Sequence, residues 1–292
     1  MKHALALVTA VVALVWLAPP VLTQGPGPRK VLQILKEEIK PGRTTAHIRA
    51  EEAYVRALRG AKSPVYYLGL RTLSGGNEAW FVSSYDNYAA WEKENDAIYG
   101  DPAVAKQLEQ ADEQDAAFRT GQRSLVLELV EELSYRPRAT AQDFRYLTVM
   151  TTRVKPGFGR DFEEMRKTFT AAHEKANVDE HWAFYRVVEG MPGPAYMILM
   201  GGKSMAEADH DPHNQAFRDA VGEEGRKMMQ QVQREGVLFS EAVTLEIVPR
   251  MSSVPDEWIK ARPDFWKAPA MRTTSAAPKP AKESAVKPAS QQ

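Results

Sequence analysis

The sequence contains no cysteine, and this absence removes several kinds of chemistry. Disulfide bonds, thiolate metal ligands and cysteine nucleophiles are excluded. The patterns GxGxxG, GxxxxGK[ST], GxSxG and HExxH are missing as well. Their absence argues against the nucleotide-binding, α/β-hydrolase and zinc-protease classes, but it leaves open enzymes that need no such motif.

An excess of charge of either sign is also missing, because 38 Lys and Arg face 38 Asp and Glu. Without residues 1–23 and 272–292, the chain carries four more acidic than basic residues. No stretch forms a basic stripe, so we expect no nucleic acid partner. The length of 292 residues and the 43% hydrophobic content suit two globular domains of ordinary size.

The one long apolar run lies at the N-terminus, between Ala4 and Leu22. It follows Lys2 and is interrupted by Pro19 and Pro20, which is typical of an export signal. We therefore predict a signal peptide over residues 1–23, cleavage near residues 23–25, and a periplasmic or secreted protein with no membrane span after cleavage. An uncleaved membrane anchor is the alternative, because the run is nearly long enough to cross a bilayer.

The chain contains an internal repeat with an offset of 115 residues. Lys-Pro-Gly follows the β-rich run 31–39 and again follows the β-rich run 146–154. Proline cannot continue a strand ladder and glycine accepts positive φ, so each motif predicts a strand end and a turn. A helical pattern follows each turn, with apolar residues three and four positions apart.

The remaining elements repeat in the same order. Each half continues with two strands around a short turn, a helix that begins at Asp-Pro, and a closing strand. The order strand-helix-strand-strand-helix-strand is that of the ferredoxin-like split βαβ arrangement. We therefore predict an α+β fold, with ferredoxin-like repeats at residues 30–138 and 143–250 packed sheet to sheet as an intrachain pseudo-dimeric α/β barrel.

Together with the segment "HDPHNQAF" (210–217), this order resembles the dimeric α/β-barrel superfamily, which includes antibiotic-biosynthesis monooxygenase-like, NIPSNAP-like and EthD-like domains. The resemblance covers residues 30–250. It implies a pocket inside the barrel and an activity that often needs no cofactor, and we predict none. Beyond the repeats, the aromatic segment 251–271 is expected to pack on the core, and residues 272–292 are expected to be a disordered tail.

The strand "EHWAFYRVV" (180–188) supplies the catalytic candidates. Alternation places His181 and Tyr185 on one face and Trp182 on the other. If the first face lines the barrel, His181 and Tyr185, with Tyr196 nearby, could move a proton of a bound molecule. The alternative is that His181 only forms a hydrogen bond at a strand end.

Aromatic residues on the middle strands supply ligand-binding candidates, namely Tyr67, Trp80, Trp182 and Tyr196. They either line a pocket for a flat apolar molecule or simply fill the barrel. Arg71 and Arg186, which are equivalent in the two repeats, could hold an anionic group of that molecule or could pair with acidic residues.

Two histidine groups are weaker candidates. Asp209, His210, Asp211 and His213 lie within five residues, but a helix cap at Asp211 with solvated histidines beside it explains more of the pattern, and we predict no metal site. His173 could be a packed histidine or, as in some members of the superfamily, a haem ligand. Three hypotheses follow: a binder of a small apolar or aromatic molecule, a cofactor-independent monooxygenase or isomerase, and a non-enzymatic scaffold.

Overall fold

The computed structural model describes residues 28–267 except 62, 64 and 210. The predicted signal peptide, the predicted tail and the last residues of segment 251–271 lie outside these residues. Within the described part of the chain, no helix combines the length and apolar character needed to cross a membrane.

Each repeat contains four strands and its helices. The first repeat consists of β1 (Val31–Ile39), α1 (Thr44–Gly60), β2 (Tyr67–Thr72), β3 (Glu78–Tyr85), α2 (Tyr88–Tyr99), α3 (Pro102–Ala116) and β4 (Arg119–Leu129). The second consists of β5 (Tyr146–Val154), α4 (Gly159–Ala176), β6 (Ala183–Glu189), β7 (Ala195–Gly202), α5 (Gln215–Glu235) and β8 (Val237–Ile247). Two short helices follow, α6 (Asp256–Ala261) and α7 (Pro263–Trp266).

The eight strands form one closed antiparallel barrel in the order β1-β3-β2-β8-β5-β7-β6-β4. Each repeat contributes four neighbouring strands, and the two half-barrels join where β2 pairs with β8 and β4 pairs with β6. Closure gives each of these strands a neighbour on both sides, and the joining ladders are short, with three residue pairs between β2 and β8 and four between β4 and β6. The predicted pseudo-dimeric barrel of two ferredoxin-like repeats is therefore confirmed.

The repeated Lys-Pro-Gly motif has the predicted role. Gly42 has φ +75° and Gly157 has φ +91°, a conformation that side chains with a Cβ rarely adopt. Each glycine turns the chain at the end of a strand into the helix that packs on the outside of the barrel. Both turns therefore adopt the same positive-φ backbone at the glycine.

The barrel has two distinct apolar regions. Alternate strand residues fill its interior, including Leu70, Leu125 and Leu245, each 0% exposed. The opposite strand faces pack against the helices in two separate clusters, one per repeat. Trp258 and Trp266 of the C-terminal segment join the interior cluster and cover one end of the barrel.

The helix starts differ from the sequence expectation in the second repeat. Asp101 caps α3 as predicted, accepting hydrogen bonds from the main-chain N–H groups of Ala103 and Val104. In the second repeat, however, α5 begins after Asn214, whose side chain accepts from Phe217 N at 3.1 Å. Asp211 instead accepts a bond from His213 N in the preceding loop. The sequence also gave no sign of α2, which Asn87 caps.

Candidate functional site

An apolar cavity of about 170 Å³ lies at the end of the barrel that the C-terminal segment covers. The N-terminal segment, the linker between the repeats and the segment after β8 meet around its opening. Its lining includes Leu32, Leu68, Phe144, Leu147, Ala183 and Trp258. Other interior side chains, including Ile34, Leu125 and Val243, belong to the same packed cluster and do not line the cavity.

Arg138 supplies a polar group at the cavity. Its Nη2 donates to Glu207 at 3.2 Å, and its guanidinium lies 5.9 Å from the centre of the Phe144 ring. Its Nη1 is buried and has no hydrogen-bond partner among the described residues. A buried donor without a partner is costly, and an acceptor atom on a bound molecule would satisfy it. Sequence reasoning missed Arg138, because a single arginine in a linker carries no periodic signal.

The catalytic candidates His181 and Tyr185 both line this cavity, as expected if the strand face that carries them is turned into the barrel. Their hydrogen bonds lead away from each other. His181 Nδ1 donates to the carbonyl of Arg136 at 2.7 Å, and its Nε2 lies 3.4 Å from Asp179 Oδ1. The Tyr185 hydroxyl donates to the carbonyl of Arg29 at 3.1 Å, and burial raises its pKa, which keeps it protonated at neutral pH. The geometry therefore matches a hydrogen-bonded strand-end histidine.

Tyr196 does not lie near these residues, which corrects the sequence expectation. Its ring packs on Phe162 with centroids 4.8 Å apart, and its hydroxyl donates to Glu163 on α4. The sequence alignment of the repeats makes Ala79 the counterpart of Ala195. In the structure, Glu78 lies opposite Glu38 on β1, and Ala195 lies opposite the equivalent residue Arg153 on β5, so the true counterpart of Ala195 is Glu78. The turn of the second repeat thus holds one residue more than the sequence comparison suggests. A shift of one residue moves a side chain to the other face of a strand.

The other aromatic candidates divide between the two faces of the sheet. Trp80 lies in the filled interior, where its Nε1 donates to Glu78, and it does not line the cavity. Trp182 and Tyr67 touch the cavity edge, but their rings pack on the helix side. Tyr185 is thus the aromatic candidate that the structure places at the cavity from inside the barrel.

Arg71 and Arg186 lie outside the cavity and pair with carboxylates. Arg71 Nε donates to Glu246 at 2.7 Å, and Arg186 Nη2 donates to Glu163 at 2.6 Å. Both arginines therefore pair with acidic residues, which is the second of the two roles considered in the sequence analysis. Neither is placed to bind a molecule inside the barrel.

His173 is a packed histidine with both ring nitrogens engaged. Its Nδ1 donates to the carbonyl of Phe169 at 2.9 Å, and its Nε2 lies 2.8 Å from Glu180 Oε2. It therefore offers no free lone pair to a haem iron. Its ring lies 5.7 Å from that of His213, whose pKa burial lowers. Of the four-residue metal candidate at 209–213, His210 lies outside the described residues.

The sequence analysis also missed a buried polar cluster under the helices of the first repeat. Glu37 on β1, His47 and Glu51 on α1, and Asp115 on α3 bring one potential ligand atom each to within 4.8 Å of the others. His47 lies at a core position of the helical pattern, so the sequence analysis treated it as a packing residue and not as a potential ligand. The i, i+4 spacing of His47 and Glu51 was the one available signal.

No protein-family model matches the chain, and no curated protein matches its sequence. Among solved structures, a provisionally named monooxygenase from Fusobacterium nucleatum has a TM-score of 0.50 at 12% identity, over 75% of this chain and 93% of that one. An anthrone oxidase-like protein (TM-score 0.49, 11% identity, 75% and 92%) and a provisionally named monooxygenase from Lactobacillus acidophilus (0.46, 11%, 75% and 94%) are similar as well. At this identity the first match shows the fold, the dimeric α/β barrel.

Proposed function

We propose that the protein binds a small apolar or aromatic molecule in the cavity at the covered end of the barrel. The observation that carries the proposal is the apolar lining of a cavity of about 170 Å³ within the barrel. Dry apolar cavities of about 150 Å³ are large enough to hold benzene. The occupant is therefore the size of one ring or a short aliphatic chain.

Arg138 narrows the chemistry of this molecule. Its unpartnered Nη1 favours an occupant with a carbonyl or carboxylate oxygen, because a guanidinium N–H forms a strong hydrogen bond to such an acceptor. The carboxylate of Glu207 already takes the other nitrogen. We infer an apolar body that lies among the aliphatic side chains and an oxygen that points to the linker.

Binding without turnover is the function that the hydrogen bonds of His181 and Tyr185 support best. A general base needs a free lone pair within reach of the substrate proton. His181 Nδ1 donates to the carbonyl of Arg136, so its lone pair lies on Nε2, and that nitrogen faces the exposed carboxylate of Asp179 at 3.4 Å. The monooxygenase or isomerase hypothesis and the scaffold hypothesis predict different outcomes in the experiment below.

Ligand-observed fluorine NMR tests the proposal with fluorobenzene and 4-fluorobenzoate as probes. We expect both to bind the wild-type protein. Ala183→Phe places a ring in the cavity and should abolish binding of both, whereas Arg138→Met should weaken 4-fluorobenzoate alone. Arg186→Met is the matched control, because this arginine is bonded to Glu163 outside the barrel, and it should change neither.

If neither probe binds, the proposal is overturned and the scaffold hypothesis is favoured. The enzyme hypothesis is tested separately by incubating the protein with a metabolite extract and following retention and conversion by mass spectrometry. Conversion that His181→Ala removes would establish catalysis. Retention without conversion is the result that we expect.

Export belongs to the same proposal and rests on the apolar run of residues 1–23. Mass spectrometry of the protein from its native host measures the mature N-terminus. We expect it to begin near residues 23–25, in the periplasm or the medium. An intact Met1 in the membrane fraction would indicate an uncleaved anchor instead.

A further inference from the structure

We propose that the first repeat contains a binding site for one divalent transition-metal ion, with Glu37, His47 and Glu51 as ligands and Asp115 as the carboxylate that orients His47. The four residues come from three elements, β1, α1 and α3, that meet on the helix side of the sheet. Their potential ligand atoms all lie within 4.8 Å of one another. The site is on the opposite side of the sheet from the barrel cavity, so it is independent of the function proposed above.

His47 is oriented as a metal-ligating histidine. Its Nδ1 lies 2.6 Å from Asp115 Oδ1, and because a carboxylate only accepts, Nδ1 is the donor. This leaves the lone pair on Nε2, which faces Glu37 Oε2 at 3.7 Å. Within the described residues, His47 Nε2 has no hydrogen-bond partner, although the residue is 1% exposed. A carboxylate on the second ring nitrogen is the usual support of a histidine ligand.

Two carboxylate oxygens are also buried without a hydrogen bond. Glu37 Oε1 accepts from Arg119 Nη1 at 2.5 Å, whereas Glu37 Oε2 has no partner in the described part of the chain. Asp115 Oδ2 is likewise without a bond, with Arg119 Nε 3.4 Å away. The unsatisfied Glu37 Oε2 and His47 Nε2 thus face each other across 3.7 Å, and a cation between them would satisfy both.

The charges of the cluster favour a cation as well. Arg119 is the guanidinium that contacts Glu37, Asp112 and Asp115, so one positive charge faces several carboxylates. Buried negative charge without compensation is costly, and a bound divalent ion compensates it.

The second repeat shows that the fold does not need these residues. With the offset of 115, Thr152 replaces Glu37, Phe162 replaces His47 and Arg166 replaces Glu51. Phe162 there packs on Phe184 and Tyr196 in an apolar cluster. The same backbone therefore folds with a threonine, a phenylalanine and an arginine in place of Glu37, His47 and Glu51, which points to a role other than packing for the polar cluster.

The ion can reach the site from a groove on the helix side. This groove is lined by Glu37, Glu51 and Arg119 of the cluster, together with aromatic residues that include Tyr54 and Tyr67. Two carboxylates and one imidazole, with no thiolate, suit manganese(II), iron(II) or zinc(II) better than copper(I). Magnesium, which keeps most of its water, should bind more weakly.

Manganese(II) titration of the chelator-treated protein, followed by electron paramagnetic resonance of the free ion, tests the site. We expect one saturable equivalent. Glu51→Gln keeps the shape of the side chain and should raise the Kd for Mn²⁺ about tenfold or more. The control is Glu180→Gln in the second cluster of potential ligands, around His173, and it should leave the Kd unchanged.

A second measurement on the wild-type protein does not depend on a variant that folds. Bound manganese broadens nearby amide resonances, and we expect the broadening around His47 on α1 rather than around His173 on α4. Absence of saturable binding of both Mn²⁺ and Zn²⁺ would overturn the proposal. So would broadening centred on α4, or a loss of binding in Glu180→Gln alone.

Discussion

His47 and Phe162 occupy the same position in the two repeats, one turn into the first helix, yet their surroundings are opposite. His47 donates to Asp115 at 2.6 Å in a group of charged residues. Phe162 stacks on Tyr196 with ring centroids 4.8 Å apart. The two halves of the barrel share a backbone, and they differ most in what that backbone buries beneath its helices.

This difference predicts the stability of variants in metal-free buffer. His47→Phe alone should lower the free energy of unfolding by about 1–3 kcal/mol, because Asp115 loses its buried donor. The quadruple variant Glu37→Thr, His47→Phe, Asp115→Val, Arg119→Val removes the buried charges together, and Val237 holds the position of Arg119 in the second repeat. It should be more stable than His47→Phe alone, since apolar replacement of a complete group of buried charges is often neutral or stabilising. Urea unfolding measures both, and a quadruple variant less stable than the single one would contradict the prediction.

Gly69 allows the C-terminal segment to cross β2 closely. A Cβ at this position would lie 2.2 Å from the main-chain oxygen of Met251, and the Gly69 N–H donates to Ser252 Oγ at 3.0 Å. Gly69→Ala should therefore cost about 1–3 kcal/mol by overpacking, as measured by thermal unfolding. Gly60→Ala is the control, because no atom lies within 4 Å of its Cβ position and it ends α1. Its stability should be unchanged or slightly higher.

Glu94 predicts a pH dependence of stability. Burial raises the pKa of its carboxyl from 4.5 to about 7, although the hydrogen bond from Tyr85 lowers it. Between these two values the folded state holds a proton that the unfolded state has released, so stability falls as pH rises through this window. Urea midpoints at pH 5 and pH 8 should differ less in Glu94→Gln than in the wild type. An equal difference in both proteins would show that Glu94 does not titrate in this range.

The start of α5 supplies a prediction about helix capping. Asn214 accepts from Phe217 N, so Asn214→Ala should lower the free energy of unfolding by about 1 kcal/mol. Asp211→Ala, at the position that the sequence pattern favours, should cost less. Chemical denaturation of both variants decides between the two positions. A larger loss of unfolding free energy in Asp211→Ala than in Asn214→Ala would show that Asp211 caps the helix.

Repetition made much of the fold predictable. The strands 31–39 and 146–154 agree with the structure at both ends, and the proline that follows each one explains its C-terminal end, because proline cannot continue a ladder. The predicted bounds of the closing strands were less accurate, because β4 begins at Arg119 and the prediction began at residue 124. Its first residues are polar, and they are strand because β1 pairs with them, which is a contact distant in sequence.

The candidate site was predictable only in part, for the same reason. Alternation correctly grouped His181 with Tyr185, since the period of a strand is local. Tyr196 required the register between strands, and one extra residue in a turn moved it to the other face. Arg138 and the cluster around His47 required the packing of elements that are far apart in the chain.

The sequence by itself determined the order of elements, the turns and the duplication, because these depend on residues that are neighbours along the chain. Tertiary structure alone decided which face of each strand encloses the cavity and which side chains meet beneath the helices. Those outcomes depend on barrel closure and strand register, where a displacement of one residue exchanges interior and exterior.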